Sequence, residues 1–507
     1  MRVNPNLFTE GPIDSPTLNV MGLALAFLSP GLFFAGMVEW FSGNSHNEWA
    51  LFASAGISLN IGLTLRALTE ISEDVKPLSM FSMVAWSWVA CSVMGALPYL
   101  WGGVFPWGKF DSALFESISG FSTSGSTVLE DIESLGKGML LWRQLTQWYG
   151  GMGMIVLATA VLPRLGVGGL ALMSAEAPGH KSEMFRASAT KTAKTLWMVY
   201  FATTLVIAVA LWITPGPTLF DAITHAFSTA ATGGFSTYNS SIGHFDSLAV
   251  EMIIVVAMLF GAISYTLHYR AFAQREKFAW FRSSETRVFL GVTFTAVLLI
   301  TLINSSDDLG SFSDVLRDSV FNVVALATST GFGNVRPDGI GDFVLWGAST
   351  QILILFLMTI GGTTGSTAGG MKVFRLQIGL KALKRELRLF EHPKGIFQIK
   401  MGKEPIEDRI VASALAFVAL YISFVILGTV VVATLGNDLI TSASGAISAM
   451  SNMGPALGDA GPTSNYLAFS RPSRSILAFL MLLGRLEIYA VLLMLVAPAN
   501  RILIRKS

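Results

Sequence analysis

The chain has 507 residues, 52% of them hydrophobic and only 13% charged, with a formal net charge of +1. Soluble domains carry about 25% charged residues, and apolar runs of about 20 residues recur here from end to end, which excludes a string of soluble domains. The net charge by itself says nothing about nucleic acid, no block of like charges suggests a binding tail, and a single cysteine, Cys91, excludes an intrachain disulfide.

The first twenty residues mix acids, prolines and polar groups and lack the basic start and cleavage site of a signal peptide, so the first helix is expected to stay in the mature protein. Apolar runs at roughly 18–41, 49–67, 77–102, 139–163, 193–214, 247–269, 286–304, 343–360, 410–435 and 473–498 predict ten spanning helices. Four stretches between them are neither fully apolar nor plainly loop-like: 110–128, 219–237, 312–334 and 439–458. Each reads as a short half-apolar helix ending in small polar residues around a glycine, with Gly125, Gly233, Gly331 and Gly454 at the centres. This internal repeat sets the architecture. An N-terminal hairpin (1–70) is followed by four pore units at 71–170, 171–280, 281–400 (with a broken second helix) and 401–507. The predicted fold is an all-α polytopic membrane protein: four tandem helix–pore loop–helix units in pseudo-fourfold arrangement.

Basic residues set the orientation. If the glycine-bearing loops face outside, the inner segments hold Arg164, Lys181, Arg186, Lys191, Lys194, Arg270, Arg275, Lys277, Arg282, the cluster 381–388 and the tail Arg501, Arg505 and Lys506. The outer segments hold Asp111, Glu130, Asp131, Glu133, Asp307, Asp308 and Asp459. Both termini then lie inside.

Non-helical backbone at membrane depth is tolerated only where it is buried in protein or lines a wet cavity, so four such segments imply a shared polar axis. Four extended loops can present carbonyl oxygens that replace the water shell of a monovalent cation, and each short helix points its partly negative end at it. The candidate ion-binding residues are Thr123, Ser124 and Gly125; Ala231, Thr232 and Gly233; Ser329, Thr330 and Gly331; and Asn452, Met453 and Gly454. Asp111, Asp221, Asp314 and Asp438 stand near the starts of the short helices, where an acid opposes the dipole and can cap free N–H groups. The fourth loop has no threonine before its glycine, so looser selectivity than in a symmetric pore is expected.

The pieces QWYGGMGMIVLA (147–158), AATGGFST (230–237), STGFGN (329–334), IGGTTGSTAGGMKVFR (360–375), HP (392–393), SNMGPALG (451–458) and GRLEIYAVLLML (484–495) resemble the Trk/Ktr/HKT superfamily of potassium transporters, most closely its TrkH/TrkG-type membrane subunits of bacterial Trk systems. The resemblance implies potassium as the transported ion, with no covalent cofactor, and residence in the bacterial inner membrane. It also implies a homodimer and a cytosolic, nucleotide-binding regulatory partner of TrkA type. Some plant relatives with serine at the filter-glycine position favour sodium; glycine in all four loops implies potassium. The family's first loop usually shows more threonine than this one.

Five glycines between Thr359 and Gly370 make a continuous helix costly, at about 1 kcal/mol each relative to alanine. The break should lie at depth, just inside the loops. The resemblance gives this segment the role of an intramembrane gate, carried by Gly361, Gly362, Thr363, Thr364, Gly365, Ser366, Thr367, Ala368, Gly369 and Gly370. A nucleotide-cradling loop is disfavoured, since the phosphate-loop spacing and a preceding strand are missing. Arg485 lies within the last apolar run, where a charge is costly and faces a wet cavity or a partner. It reads either as an electrostatic barrier near the pore or as a bridge between helices; Glu487, two residues on, does not face it. Glu116 and His225 read equally as packing residues or ion contacts, and Glu251 as a solvated helix end. His180, His268 and His392 lack metal-ligand spacing, and Trp101, Trp107, Trp142 and Trp148 read as interfacial anchors.

Gated potassium conduction is therefore the leading function. The alternative is a sodium- or proton-coupled cation symporter of secondary-transporter type, which would call for inverted repeats, whereas these units run in one direction. An intramembrane enzyme would need a nucleophile–base or metal constellation, and the spans offer none.

Overall fold

The computed structural model describes residues 13–43, 47–70, 77–156, 183–306, 311–336, 339–402, 404–489 and 491–492. It opens with a hairpin of α1 (Ser15–Ser42) and α2 (Glu48–Leu68). Asp14 caps α1 by accepting from Thr17 N at 3.0 Å, and Gly43 ends it in the left-handed conformation. Ser58 Oγ donates to Leu25 O at 2.7 Å across the hairpin.

Unit 1 is α3 (Pro77–Trp101), the pore helix α4 (Phe110–Phe121) and α5 (Lys137–Val156). Unit 2 is α6 (Glu183–Trp212), the pore helix α7 (Leu219–Ala230) and the pair α8 (Leu248–Ala262) and α9 (Tyr265–Phe272), followed by the single turn α10 (Ala279–Arg282). Unit 3 is α11 (Ser284–Ser306), the pore helix α12 (Phe312–Ala327), α13 (Ala348–Ile360) and α14 (Val373–Glu391). A two-residue antiparallel ladder, β1 (Lys400–Met401) with β2 (Glu404–Pro405), precedes unit 4: α15 (Asp408–Thr434), the pore helix α16 (Leu439–Ser451) and α17 (Arg471–Arg485).

Each pore helix packs against the closing helix of the unit before it: α7 on α5, α12 on α8, α16 on α13, and α4 on α17. The last pairing closes the circle, so the four units surround one axis. Six helices among the described residues are long and apolar enough to cross a membrane, with α8 and α9 together a seventh. The protein is a multi-pass membrane protein, and Ile422, Ile426, Leu427 and Val430 of α15 present exposed apolar side chains suited to lipid.

Helices overlie the described part of all ten predicted runs; residues 157–163 of the fourth lie outside the described residues, and three other runs are interrupted. The run at 247–269 bends by 102° between α8 and α9. Its freed N–H groups are taken up from outside the unit: Ser264 N donates to Thr363 Oγ1 at 2.8 Å and Tyr265 N to Gly365 O at 3.1 Å. The run at 343–360 becomes α-helical only from Ala348. The run at 473–498 breaks after Arg485, where Glu487 and Ile488 take φ of 61° and 38°. Hydropathy is blind to such breaks because the residues stay apolar or are satisfied by tertiary partners.

Capping fixes where three pore helices start. Thr218 and Asp221 form a capping box on α7, Ser311 accepts from Asp314 N on α12, and Asp438 accepts from Ile440 N and Thr441 N at 2.9 and 3.2 Å on α16. Asp111 makes no cap; it lies 3.5 Å from Arg474 of α17. Arg164, Lys181, His180, Asp307, Asp308, Arg501, Arg505 and Lys506 lie outside the described residues.

Candidate functional site

All four pore helices end in the same way. Ser124 N donates to Ser119 O at 2.8 Å, Gly233 N to Ser228 O at 2.9 Å, Thr330 N to Ala325 O at 2.9 Å and Met453 N to Ser448 O at 3.0 Å. One residue earlier, Thr123, Thr232, Ser329 and Asn452 donate to Gly120, Thr229, Leu326 and Ala449 at 2.9, 3.0, 3.1 and 3.2 Å. This pair of bonds is a Schellman ending, whose penultimate residue is left-handed. Thr123, Thr232, Ser329 and Asn452 indeed sit at φ of 52°, 50°, 51° and 52°.

The repeated geometry corrects the register of the second loop. The positive-φ glycines that follow are Gly125, Gly234, Gly331 and Gly454, so Gly234, not Gly233, is the counterpart of the other three. Ala231 has an ordinary helical φ of −78° and closes α7; the equivalent triplet is Thr232–Gly233–Gly234. Two adjacent glycines look alike in a sequence, and only the end of the helix decides which of them turns left-handed.

The four tips interlock. A side chain on Gly125 would strike the carbonyl oxygen of Gly233, on Gly234 that of Thr330, and on Gly331 that of Met453; on Gly454 it would lie 2.8 Å from the oxygen of Ser124. Four main-chain oxygens thus alternate with four glycines around the axis, in chain order. On one side this ring opens into a cavity lined by all four glycines together with Thr127 and Glu130.

Buried side chains brace the limb that leaves each tip. In unit 1, Glu116 accepts from Val128 N at 2.9 Å and Thr127 Oγ1 at 3.0 Å. Arg143 pairs with that carboxylate at 2.9 Å and donates to Ser236 O of the next loop at 2.9 Å. In unit 2, His225 lies 2.9 Å from Ser236 Oγ, and in unit 3 Asn322 donates to Asn334 Oδ1 at 2.8 Å. Glu116, His225 and Asn322 each stand seven residues before their left-handed residue. Gly445 holds that place in unit 4, where the adjacent Ser444 Oγ accepts from Leu457 N at 3.0 Å instead. Glu116 and His225 are therefore braces. Gln147 donates to Gly233 O at 2.6 Å and accepts from Ser228 Oγ and Phe235 N. Nothing in its spacing marked that role.

The broken segment between α13 and α14 lies against the helical side of the ring. Thr367 Oγ1 donates to Ala230 O and Gly261 O, each at 3.1 Å, and Gly369 N donates to Ser329 Oγ at 2.5 Å. Thr363 N donates to Ala262 O at 2.9 Å, and Thr364 N and Oγ1 donate to Glu285 Oε1 at 2.8 and 2.7 Å. A side chain on Gly369 would strike Ser451 O, at the end of the fourth pore helix. The segment therefore spans units 2, 3 and 4. Arg485 covers the remaining quadrant: its Nη1 donates to Thr367 O at 2.8 Å and its Nη2 to Gly150 O at 3.1 Å, with only 1% of the residue exposed. Gly150 packs on Phe121 at the end of α4. Arg485 is thus a bridge between the broken segment and α5. Lys372, also buried, donates to Ala368 O at 2.7 Å. Glu487 pairs with Arg375, not with Arg485, and Arg375 stacks on Phe417 at 3.6 Å.

Two readings are corrected. Glu251 is fully buried rather than solvated and pairs with Arg317 of α12 at 2.7 Å. Trp142 is buried, donating to Gly95 O at 3.1 Å, and Trp148 stacks on Tyr200; Trp107 alone of the four is mostly exposed. Among the described residues no group of three or more potential metal-ligating side chains occurs.

Residues 54–502 match the family model described as TrkH, cation transport protein. The chain is 37% identical over 451 residues to the Trk system potassium uptake protein TrkH of Halomonas elongata, covering 88% of this chain and 91% of that one. It is 36% identical over 423 residues to TrkH of Escherichia coli strain K12, covering 83% and 86%. The crystal structure of the potassium transporter TrkH from Vibrio parahaemolyticus superposes with a TM-score of 0.85 at 30% identity, over 95% of this chain and 98% of that one.

Proposed function

Since this chain belongs to the TrkH family of cation transport proteins, we propose that it carries potassium into the cell across the bacterial inner membrane. The ion passes the ring of main-chain oxygens of Ser124, Gly233, Thr330 and Met453. The segment 361–370 and Arg485 close the pathway from the cytoplasmic side. The observation that carries this reading is the cyclic interlock of the four tips: oxygens held between the glycines of neighbouring units can replace a potassium ion's water shell without moving apart. Four pore-helix C-termini add partial negative charge toward the same point. Both termini lie in the cytoplasm in this arrangement, as the distribution of basic residues supports. The relatives are named as parts of a Trk system, which supports further partner subunits; assembly as a homodimer with a nucleotide-binding regulatory subunit is part of the same proposal.

Purified protein in liposomes tests the reading by ion flux. Downhill potassium flux exceeding sodium flux, with no second solute gradient, is the expected result. Potassium flux that appears only with a proton or sodium gradient running in the same direction would establish the coupled symporter instead.

A further inference from the structure

We propose that the four left-handed residues beneath the ring, Thr123, Thr232, Ser329 and Asn452, are the latches to which the inner closure fastens, so that opening the closure and loosening the inner edge of the filter are one event. The proposal rests on the reading of segment 361–370 and Arg485 as the closure.

Glycine is the usual residue at the left-handed position of a Schellman ending, and asparagine is the common substitute. A β-branched residue there is an outlier held in place only by its surroundings. Here the position is filled by threonine twice, serine once and asparagine once, never by glycine. All four are fully buried. What a glycine would lack is the side chain, and the side chains meet the closure or its supports. Ser329 Oγ accepts from Gly369 N at 2.5 Å. Thr232 Oγ1 donates to Ala231 O at 2.7 Å and lies 3.3 Å from Thr367 Oγ1. Asn452 Nδ2 donates to Met481 O at 2.7 Å, one turn before Arg485 on α17. Thr123 packs on Gly150, whose carbonyl receives Arg485.

In units 2 and 3 the left-handed residue thus reaches segment 361–370 itself, and in units 1 and 4 it meets Gly150 and Met481, which adjoin Arg485 through its bond to Gly150 O and along α17. The contacts offset the backbone strain while the closure is in place. Once it withdraws, Gly369 N loses its partner and the strained residues lose their support, which gives the inner edge freedom to relax.

The test uses the full-length protein in liposomes, with Ser329→Ala, Ser329→Thr and Ser329→Gly compared with deletion of residues 361–370. A second readout is the rate at which a charged thiol reagent modifies Ser366→Cys, a buried loop position, in a Cys91→Ser background. Removing one hydrogen bond to a buried N–H shifts a two-state balance by about tenfold. Ser329→Ala is expected to raise both potassium flux and Ser366→Cys labelling by about that factor. Ser329→Thr keeps the hydroxyl and should fall well below Ser329→Ala in both readouts. Ser329→Gly, which removes the strain as well, should match or exceed the alanine variant. If the deletion raises flux but Ser329→Ala changes neither readout, the latch is wrong while the gate stands. If Ser329→Thr labels as fast as Ser329→Ala, the hydroxyl is not the latch. If the deletion itself leaves flux unchanged, the underlying reading fails first.

Discussion

The protein holds two kinds of glycine-rich, non-helical backbone at membrane depth, and they are secured in opposite ways. Each tip of the proposed filter is tied to its own pore helix by the two Schellman bonds, only three and five residues back along the chain. Segment 361–370, the proposed closure, makes its bonds abroad: to Gly261 and Ala262 of unit 2, to Glu285 at the start of α11, to Ser329 of the third tip and to Arg485 of α17. Local bonds form with the helix and leave only when it melts. Long-range bonds can be given up together by a rigid shift of one element, and that suits a part that moves.

Substitutions at the two sites should therefore act in opposite directions. The largest effect is expected at the ring. Gly331→Ala adds an atom that strikes Met453 O at a residue with φ of 77°, and a strained backbone of this kind costs of order 1–3 kcal/mol before the clash is counted. Potassium flux and potassium-over-sodium preference should both fall by at least about tenfold in a liposome assay. The same experiment reads the register. Gly234→Ala should be as damaging, because its new atom meets the backbone of Thr330, whereas at Gly233 the neighbour is the Gln147 side chain. A Gly233→Ala variant more damaging than Gly234→Ala would reverse the assignment.

At the proposed closure the sign inverts. Arg485→Ala removes two charge-assisted bonds of roughly 1.5–3 kcal/mol each that hold the proposed closure. Basal potassium flux should rise by at least about tenfold, and deletion of 361–370 should do the same. Unchanged flux in both would erase the distinction drawn between the two kinds of loop.

How far the sequence reaches follows the same division. The four short helices, their order and the broken third unit are legible because period, length and glycine spacing are local properties. The ring's existence is legible too, since polar backbone at depth must converge. The register at Gly233–Gly234 is not, because it depends on where α7 stops. The braces divide likewise. Glu116 and His225 stand out as ionisable residues in an apolar helix, but Asn322 and Gln147 do not, and none of the four discloses its partner. Glu251 misleads outright: an acid near a helix start is usually wet, and only the approach of Arg317 from another unit makes its burial tolerable.

The braces supply a test of intermediate size. Glu116→Ala leaves Arg143 buried without its carboxylate; breaking a buried pair in this way costs about 3–5 kcal/mol. Thermal unfolding in detergent should show a large loss of stability. Asn322→Ala forfeits neutral bonds only and should cost about 1–3 kcal/mol. Equal losses would mean that charge is irrelevant to how the limbs are held.

The smallest effect is expected at the far end of a pore helix, and it isolates the contribution of local bonds. Asp438 caps α16 through Ile440 N and Thr441 N. Hydrogen bonds from Thr441 and neighbouring main-chain N–H groups hold its carboxyl below the ordinary range. A depressed carboxyl stabilises the folded state at pH values above its unfolded pKa, about 3.9, and the contribution fades as pH falls through the folded value. Asp438→Ala should therefore cost about 1 kcal/mol at neutral pH and progressively less in acid, with ion preference retained. Its site is solvent-exposed and far along the helix from the ring, so a change in selectivity would mean that cap and tip are not separable, and that local bonds alone do not hold the filter.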